Sequence, residues 1–579
     1  MDRREFLALL AKAGVVASLS GCSSLAGSRP ENLYRLPKFG SARLLHITDT
    51  HAQLEPVYFR EPSVNLGIGP AKGQLPHRVG KNLLAVLPAM SPRLEHAYTC
   101  LDFTEAAERF GRVGGFSHLA TLVAQLRDEA GGALLLDGGD TWQGSGTALW
   151  TRGQDMVGAC NRLGVDVMTG HWEFTYLADE VLANVAGFNG EFVAQNILAT
   201  EEALFEGVDV YDEDTGHVFK PYTMKTLNGR RIAVIGQAFP YTPIANPGRF
   251  IPDWTFGIRE AELSELVETI RRSERPDAVI LLSHNGMDVD LKLASRVTGI
   301  DAILGGHTHD GVPVPVEVRN VSGTTLVTNA GSNGKFVGVL DLEFGANGVS
   351  GYQYRLLPVF ANLLEPDGDM QAYIDAVRKP YLEQLGEELA VTDSLLYRRG
   401  NFNGTFDQVI CDALRERMDA EISLSPGFRW GTSVLPGDIV TMERVLDQTC
   451  MTYPETYVRD MKGDELRTIL ESVADNLFTP DPYYQQGGDM VRTGGLDYVC
   501  YPWHDFGSRV SELRLKDGTP IMPDKVYRVA GWATVGSASD GPPVWDVVAD
   551  YLRDHQRVSV DSLDTPLIKG LNNNPGMVA

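Results

Sequence analysis

Five short, largely apolar runs in this chain each stop at a polar tip that carries aspartate or histidine, and this recurrence constrains the fold most. Leu44 to Ile47 runs into Thr48-Asp49-Thr50-His51, and Ala133 to Leu136 runs into Asp137-Gly138-Gly139-Asp140. Val165 to Met168 leads to Thr169-Gly170-His171, and Ala278 to Leu282 leads to Ser283-His284-Asn285-Gly286. Ala302 to Leu304 leads to Gly305-Gly306-His307-Thr308-His309. Runs of this length and texture are expected of strands buried on both faces. Helical periodicity fills several of the gaps, most clearly over Phe116 to Glu129 and Glu260 to Arg272. Strands alternating with helices predict a layered α/β core, in which ligands sit beyond the strand C-termini. One convergent site is therefore expected.

The residue types at those tips suit a pair of metal ions. Taken singly, a histidine at a strand end or an aspartate beside glycines is ordinary structural chemistry. Asp49, His51, Asp140, His171, His284, His307 and His309 in this order are not an ordinary set. Two divalent cations about 3.5–4 Å apart need a bridging carboxylate and several imidazoles. Asp140 is the expected bridge, because its glycine neighbours allow close backbone approach. The D-x-H spacing would place Asp49 and His51 on one face of a strand. His307 and His309, on a glycine-rich turn, can divide between the two ions. Such a site polarises an oxyanion and acidifies a bound water. The donors are nitrogen and oxygen, which suits manganese, zinc or iron rather than copper(I). A purely structural metal seldom needs two adjacent ions.

A chain of 579 residues is too long for one core, so two domains are expected. The periodicity over Asp369 to Leu385 reads as a helix linking them, kinked or shortened at Pro380. We divide the chain into an export leader (1–28), a metal-binding domain (41–362), a linker helix (363–390) and a C-terminal domain (391–579). The Pro- and Gly-rich stretch from Leu54 to about Leu101 reads as an insertion that shapes access to the site. A net charge of -25 repels phosphate backbones and excludes nucleic acid as a partner. Arg3-Arg4-Glu5-Phe6-Leu7 and the weakly apolar run after it read as a twin-arginine leader, placing the protein in the periplasm. Leu19-Ser20-Gly21-Cys22 would lipidate Cys22, whereas cleavage near Ala26 would release a soluble protein; both readings stay open. No other stretch is apolar enough to anchor the chain across a membrane. The six cysteines form no C-x-x-C pair and no disulfide framework.

The ordered motifs resemble the calcineurin-like metallophosphoesterase superfamily in its 5′-nucleotidase branch. That resemblance implies a four-layered αββα sandwich joined by a linker helix to a C-terminal α/β substrate domain. It also implies one metal on Asp49, His51, Asp140 and His309, and the other on Asp140, His171, His284 and His307. One stretch departs from the branch. Gly170-His171-Trp172-Glu173 stands where Gly-Asn-His-Asp/Glu is usual, so His171 replaces a ligating asparagine and Trp172 a catalytic histidine. This stretch is similar to that of the SoxB thiosulfohydrolases of bacterial sulfur oxidation. So are Val57-Tyr58-Phe59-Arg60-Glu61-Pro62, Gly400-Asn401-Phe402-Asn403-Gly404 and Gly427-Phe428-Arg429-Trp430.

The SoxB resemblance implies two manganese ions, ahead of zinc, and a substrate held as a thiosulfonate on a cysteine in the C-terminal arm of a sulfur-carrier protein. Sulfate would leave and a persulfide would stay on the carrier. Asp140, His171, Trp172 and Arg429 are then the catalytic candidates. Arg429, Arg399 and Asn403 are the anion-binding candidates, and Tyr483, Tyr484 and Gln485 candidates for lining the carrier channel. An exported 5′-nucleotidase or related phosphoesterase is the alternative, and a protein that keeps its metals for structure only is a third reading.

Overall fold

The structure is a computed structural model that describes residues 33–578. The expected leader and Cys22 lie outside the described residues. Among the described residues no helix is long and apolar enough to cross a membrane.

The first domain stacks two six-stranded sheets. One runs, in spatial order, Gly348–Pro358, Phe336–Gly345, Ala42–Ile47, Leu134–Asp137, Val167–Met168 and Glu191–Phe192. The other runs Val316–Asn320, Gly323–Asn329, Ala302–Gly305, Ala278–Ser283, Arg230–Gln237 and Tyr222–Leu227. In both, the strands that end at the polar tips pair parallel, so their C-terminal ends point the same way. Side chains alternate across each strand, and this produces the layers. Leu44, Leu134, Leu136, Ile280, Leu282 and Leu304 fill the space between the sheets. Leu45, Ile47 and Leu135 face the helices Phe116–Ala130 and Gln154–Leu163 on one outer side. Val279, Leu281 and Ile303 face Glu260–Ser273 and Met287–Arg296 on the other. The result is helix, sheet, sheet, helix.

The linker helix spans Gly368–Arg378, capped by the Asp367 carboxylate, which accepts from the Met370 N–H. Pro380 cannot supply an N–H, and the chain tightens to a 3-10 turn at Lys379–Tyr381 before one more turn at Leu382–Leu385. The second domain carries a four-stranded sheet of Thr456–Lys462, Val526–Trp532, Ile422–Ser425 and Arg492–Gly494 beside two smaller three-stranded ones. The helices Thr405–Arg417, Met442–Thr449, Gly463–Phe478 and Val544–His555 pack around these sheets.

The insertion ties the two domains together. The Ser433 N–H donates to the Tyr58 carbonyl at 2.7 Å, and the Leu66 N–H donates to Asn401 Oδ1 at 2.7 Å. Leu66 and Ile68 are buried among Phe402, Phe478 and Tyr498 of the second domain. Burying two such side chains contributes about 3–6 kcal/mol before any entropic cost. The chain's tail then closes over the insertion, with the Val79 N–H on the Pro575 carbonyl and the Val578 N–H on the Ser63 carbonyl. Packing therefore crosses the divisions drawn along the sequence.

Candidate metal centre

The structure brings all seven tip residues together. Asp140, His171, His284 and His307 offer ligand atoms within 4.8 Å of one another, and so do Asp49, His51, Asp140 and His309. Asp140 is common to both groups. Its Oδ2 lies 3.2 Å from His171 Nδ1, 3.1 Å from His284 Nε2 and 3.8 Å from His51 Nε2. His309 Nε2 lies 3.1 Å from Asp49 Oδ1 and 3.1 Å from His51 Nε2. None of the seven is more than 7% exposed.

One detail of the sequence reading is corrected. Asp49 and His51 do not share a face of a strand, because the strand ends at Ile47. Both adopt left-handed backbone, as do Asp140, His307 and His309, with φ between 47° and 70°. L-residues rarely adopt this conformation, and such strain gathers where surrounding contacts hold it. Tight turns, not pleating, aim these side chains inward.

Buried partners hold the turns. Glu173 is fully buried and accepts four backbone N–H groups: Asp140 at 3.1 Å, Thr141 at 2.7 Å, Trp142 at 3.0 Å and His171 at 2.8 Å. It joins the loops bearing two candidate ligands. Sequence reasoning gave it no role, since its partners are main-chain groups that no motif spells out. The Trp172 N–H donates to Asp140 Oδ1 at 2.7 Å. His284 Nδ1 donates to the Gly138 carbonyl at 2.6 Å, which leaves Nε2 facing Asp140.

The donor set fits metal ions. Five buried imidazoles and two carboxylates converge, and His51 and His309 face each other through Nε2 atoms 3.1 Å apart. Burial pushes His51 down to about 4, and pushes His307 and His309 well below the ordinary imidazole value. These rings are neutral at pH 7, the form that binds metal. His284 is the exception. Burial would lower it, but Asp140 and Asp49 lift it to about 10. Burial alone would raise Asp140, but His171 and His284 outweigh it and hold the carboxyl well below its usual range. Without metal, His284 therefore carries a proton that a cation must displace. Metal uptake at pH 7 is expected to release about one proton per chain, with affinity falling as pH falls. Calorimetry in buffers of different ionisation enthalpy reads this directly; no proton release would contradict it.

A cavity of 310 Å³ leads to the centre, lined by Asp140, His171 and Trp172 from the first domain and by Phe428, Arg429 and Trp430 from the second. Trp172 packs edge-on against Trp430, ring centroids 5.3 Å apart, and lies 4.9 Å from the His171 ring. Phe428 and Trp430 stack on each other at 4.0 Å.

The other substrate candidates divide. Arg429 reaches the cavity, where Nη2 donates to the Gly488 carbonyl at 2.7 Å and Nη1 to the His307 carbonyl at 3.4 Å. Arg399 is 4% exposed and donates to the Thr308 and His309 carbonyls, so it clamps the ligand loop rather than facing the large cavity. Asn403 is not at the site: its side chain bonds Gln408 and the Gly404 N–H at the start of a helix. Tyr483 donates to Glu260 Oε2 at 2.6 Å, and Tyr484 is 68% exposed; neither lines the cavity. Gln485 lines a smaller neighbouring cavity. The neighbours Gln486, Gly487 and Gly488 line the large one instead, with the glycine backbone close over His307. A Cβ on Gly487 would fall 1.9 Å from His307 Nε2.

Residues 390–550 match the 5′-nucleotidase C-terminal domain family. The Thermus thermophilus sulfate thiohydrolase SoxB, solved with glycerol, is 35% identical with a TM-score of 0.85, over 93% of this chain and 98% of that one. The trifunctional nucleotide phosphoesterase YfkN of Bacillus subtilis is 28% identical over 73% of this chain, which spans only 31% of that longer protein. The 5′-nucleotidase of Bos taurus is 26% identical over 78% of this chain and 82% of its own length.

Proposed function

The chain belongs to the SoxB-like group of the 5′-nucleotidase family, and from that premise we propose that it releases sulfate from a cysteine-S-thiosulfonate carried on a partner protein. The observation that carries this reading is Trp172, the indole set between His171 and the Phe428–Trp430 stack at the cavity wall. A nucleotidase needs to protonate an alkoxide as it leaves, and an indole cannot do this at neutral pH. A persulfide needs no such proton, because its conjugate acid is far stronger than an alcohol. The stacked rings support the same choice. Phe428 and Trp430 lie in contact with each other, which leaves no gap between them for a nucleobase.

In this reading Asp49, His51, Asp140, His171, His284, His307 and His309 hold two manganese ions. Two divalent cations there would polarise the sulfone oxygens and acidify the attacking water. Water oxygen bonds to the sulfonate sulfur and its two protons pass to solvent, while the S–S bond breaks and its electron pair stays on the carrier as a persulfide anion. Arg429 offers a rigid fork for the sulfone oxygens. The apolar walls suit the extended arm of a carrier. Manganese binds weakly among divalent metals, so zinc would displace it outside the cytoplasm unless the protein folds and loads before export. The twin-arginine leader supplies that order of events and a periplasmic destination.

The alternative is a phosphoesterase, the activity named for several relatives. The double variant His171→Asn, Trp172→His tests both. It is expected to lose sulfate release from a thiosulfonate-loaded carrier by at least about a hundredfold, and to gain phosphate release from AMP. Wild-type protein that hydrolyses AMP and leaves the loaded carrier intact would overturn the sulfur reading.

A further inference from the structure

Arg429 is held by a buried ionic network that runs back into the second domain. Its Nε donates to Asp489 Oδ1 at 3.4 Å. The Asp489 side chain is fully buried, and Oδ2 accepts from Arg492 Nη2 at 3.2 Å. Asn401 Nδ2 donates to Oδ1 at 3.3 Å. Arg492 in turn pairs with Asp407, which accepts from Arg398 Nε at 2.7 Å. Arg398 also donates to the Pro426 carbonyl at 3.1 Å, at the start of the Arg429 loop. Main chain reinforces this: the Asp489 N–H donates to the Gly427 carbonyl at 2.8 Å. A Cβ at Gly427 would lie 2.2 Å from the Asp489 carbonyl oxygen, so the two loops meet only because glycine stands there.

The charges in this network do not balance. Arg398, Arg399, Arg429 and Arg492 face Asp407, Asp489 and Asp310, the last 3.9 Å from Arg399. Four guanidinium groups against three carboxylates leave one positive charge, and buried charge is costly until paired. Of the four, Arg429 is the most exposed, at 13%, and the one that lines the large cavity. Asp489, Gly488 and His307 occupy three of the five Arg429 N–H groups, leaving two without a protein partner among the described residues on a side chain that lines the cavity.

We propose that Asp489 is the positioning residue of Arg429, fixing the plane of its guanidinium so that the two remaining N–H groups meet a tetrahedral oxyanion beside Asp140 and His171. Asp489 touches no substrate and acts only through Arg429. This rests on the proposed function for the identity of the anion, but not for the positioning itself.

The test is a double-mutant cycle on metal-loaded, full-length protein, with inorganic sulfate as the probe and calorimetry as the readout. Asp489→Asn and Arg429→Ala are each expected to weaken sulfate binding about tenfold, with metal content unchanged. The double variant is expected to be no weaker than Arg429→Ala alone, because Asp489 acts through that side chain. If Asp489→Asn does not fold, Asp489→Glu, which keeps the charge and displaces it, carries the same cycle. Unchanged sulfate affinity in the folded single variant, or additive losses in the double, overturns the proposal. Wild-type protein inert toward a thiosulfonate-loaded carrier defeats the functional reading and leaves the cycle standing.

Discussion

Asparagine at position 140 is expected to lower kcat/KM for sulfate release on the order of a thousandfold, roughly 4 kcal/mol of transition-state stabilisation. The reason is the double duty of one side chain. Asp140 belongs to both ligand groups, and its Oδ2 is within 3.2 Å of two imidazoles. Asp140 Oδ1 accepts from the Trp172 N–H, which leaves the charged Oδ2 to serve both ligand groups. The amide is neutral and has one oxygen to give. Bound metal is expected to fall from two ions per chain to one or fewer. The fold should survive, since the Trp172 N–H can still bond the remaining oxygen. Elemental analysis beside a sulfate-release assay decides it: two retained ions with near-normal turnover would remove Asp140 from its bridging role.

The second large effect is expected at a residue that touches no metal. Glu173→Gln should destabilise the protein by about 3–5 kcal/mol, because a buried carboxylate that receives four N–H groups cannot be matched by one amide. The glutamine oxygen can serve one or two of those donors. Its NH2 then points at the others. Both loops that Glu173 joins carry candidate ligands, so metal affinity should fall with stability. Urea unfolding of metal-loaded protein measures the first and metal titration the second. A loss under about 1 kcal/mol would mean that the turns hold themselves.

Much of the centre was legible in the sequence because strand packing leaves a plain trace. Leu134 and Leu136 face one side and Leu135 the other, so the run is apolar throughout and stops abruptly at its polar tip. The same logic placed Asp140, His171 and His284 together. It did not foresee the left-handed turns at Asp49 and His51, whose backbone bonds the distant Gly139, Asp140 and Asn333. Glu173 and Asp489 escaped for a related reason: their partners are backbone groups and distant arginines. The insertion lines the smaller cavities beside His307 and His309, as its composition suggests, but Leu66 and Ile68 also complete the core of the other domain. Two apolar residues in a Pro-rich stretch carry no periodicity that reveals such a destination. Tyr483 and Tyr484 were read by composition alone, and the glycines beside them proved to be the residues that reach the cavity.

Everything rests on paired cations sharing one carboxylate. An anomalous-scattering map from crystals of the protein purified with its native metal addresses that most directly. Two peaks about 3.5–4 Å apart, flanking Asp140, are the expected result. A single peak, or ions bound anywhere other than between these seven side chains, would contradict it.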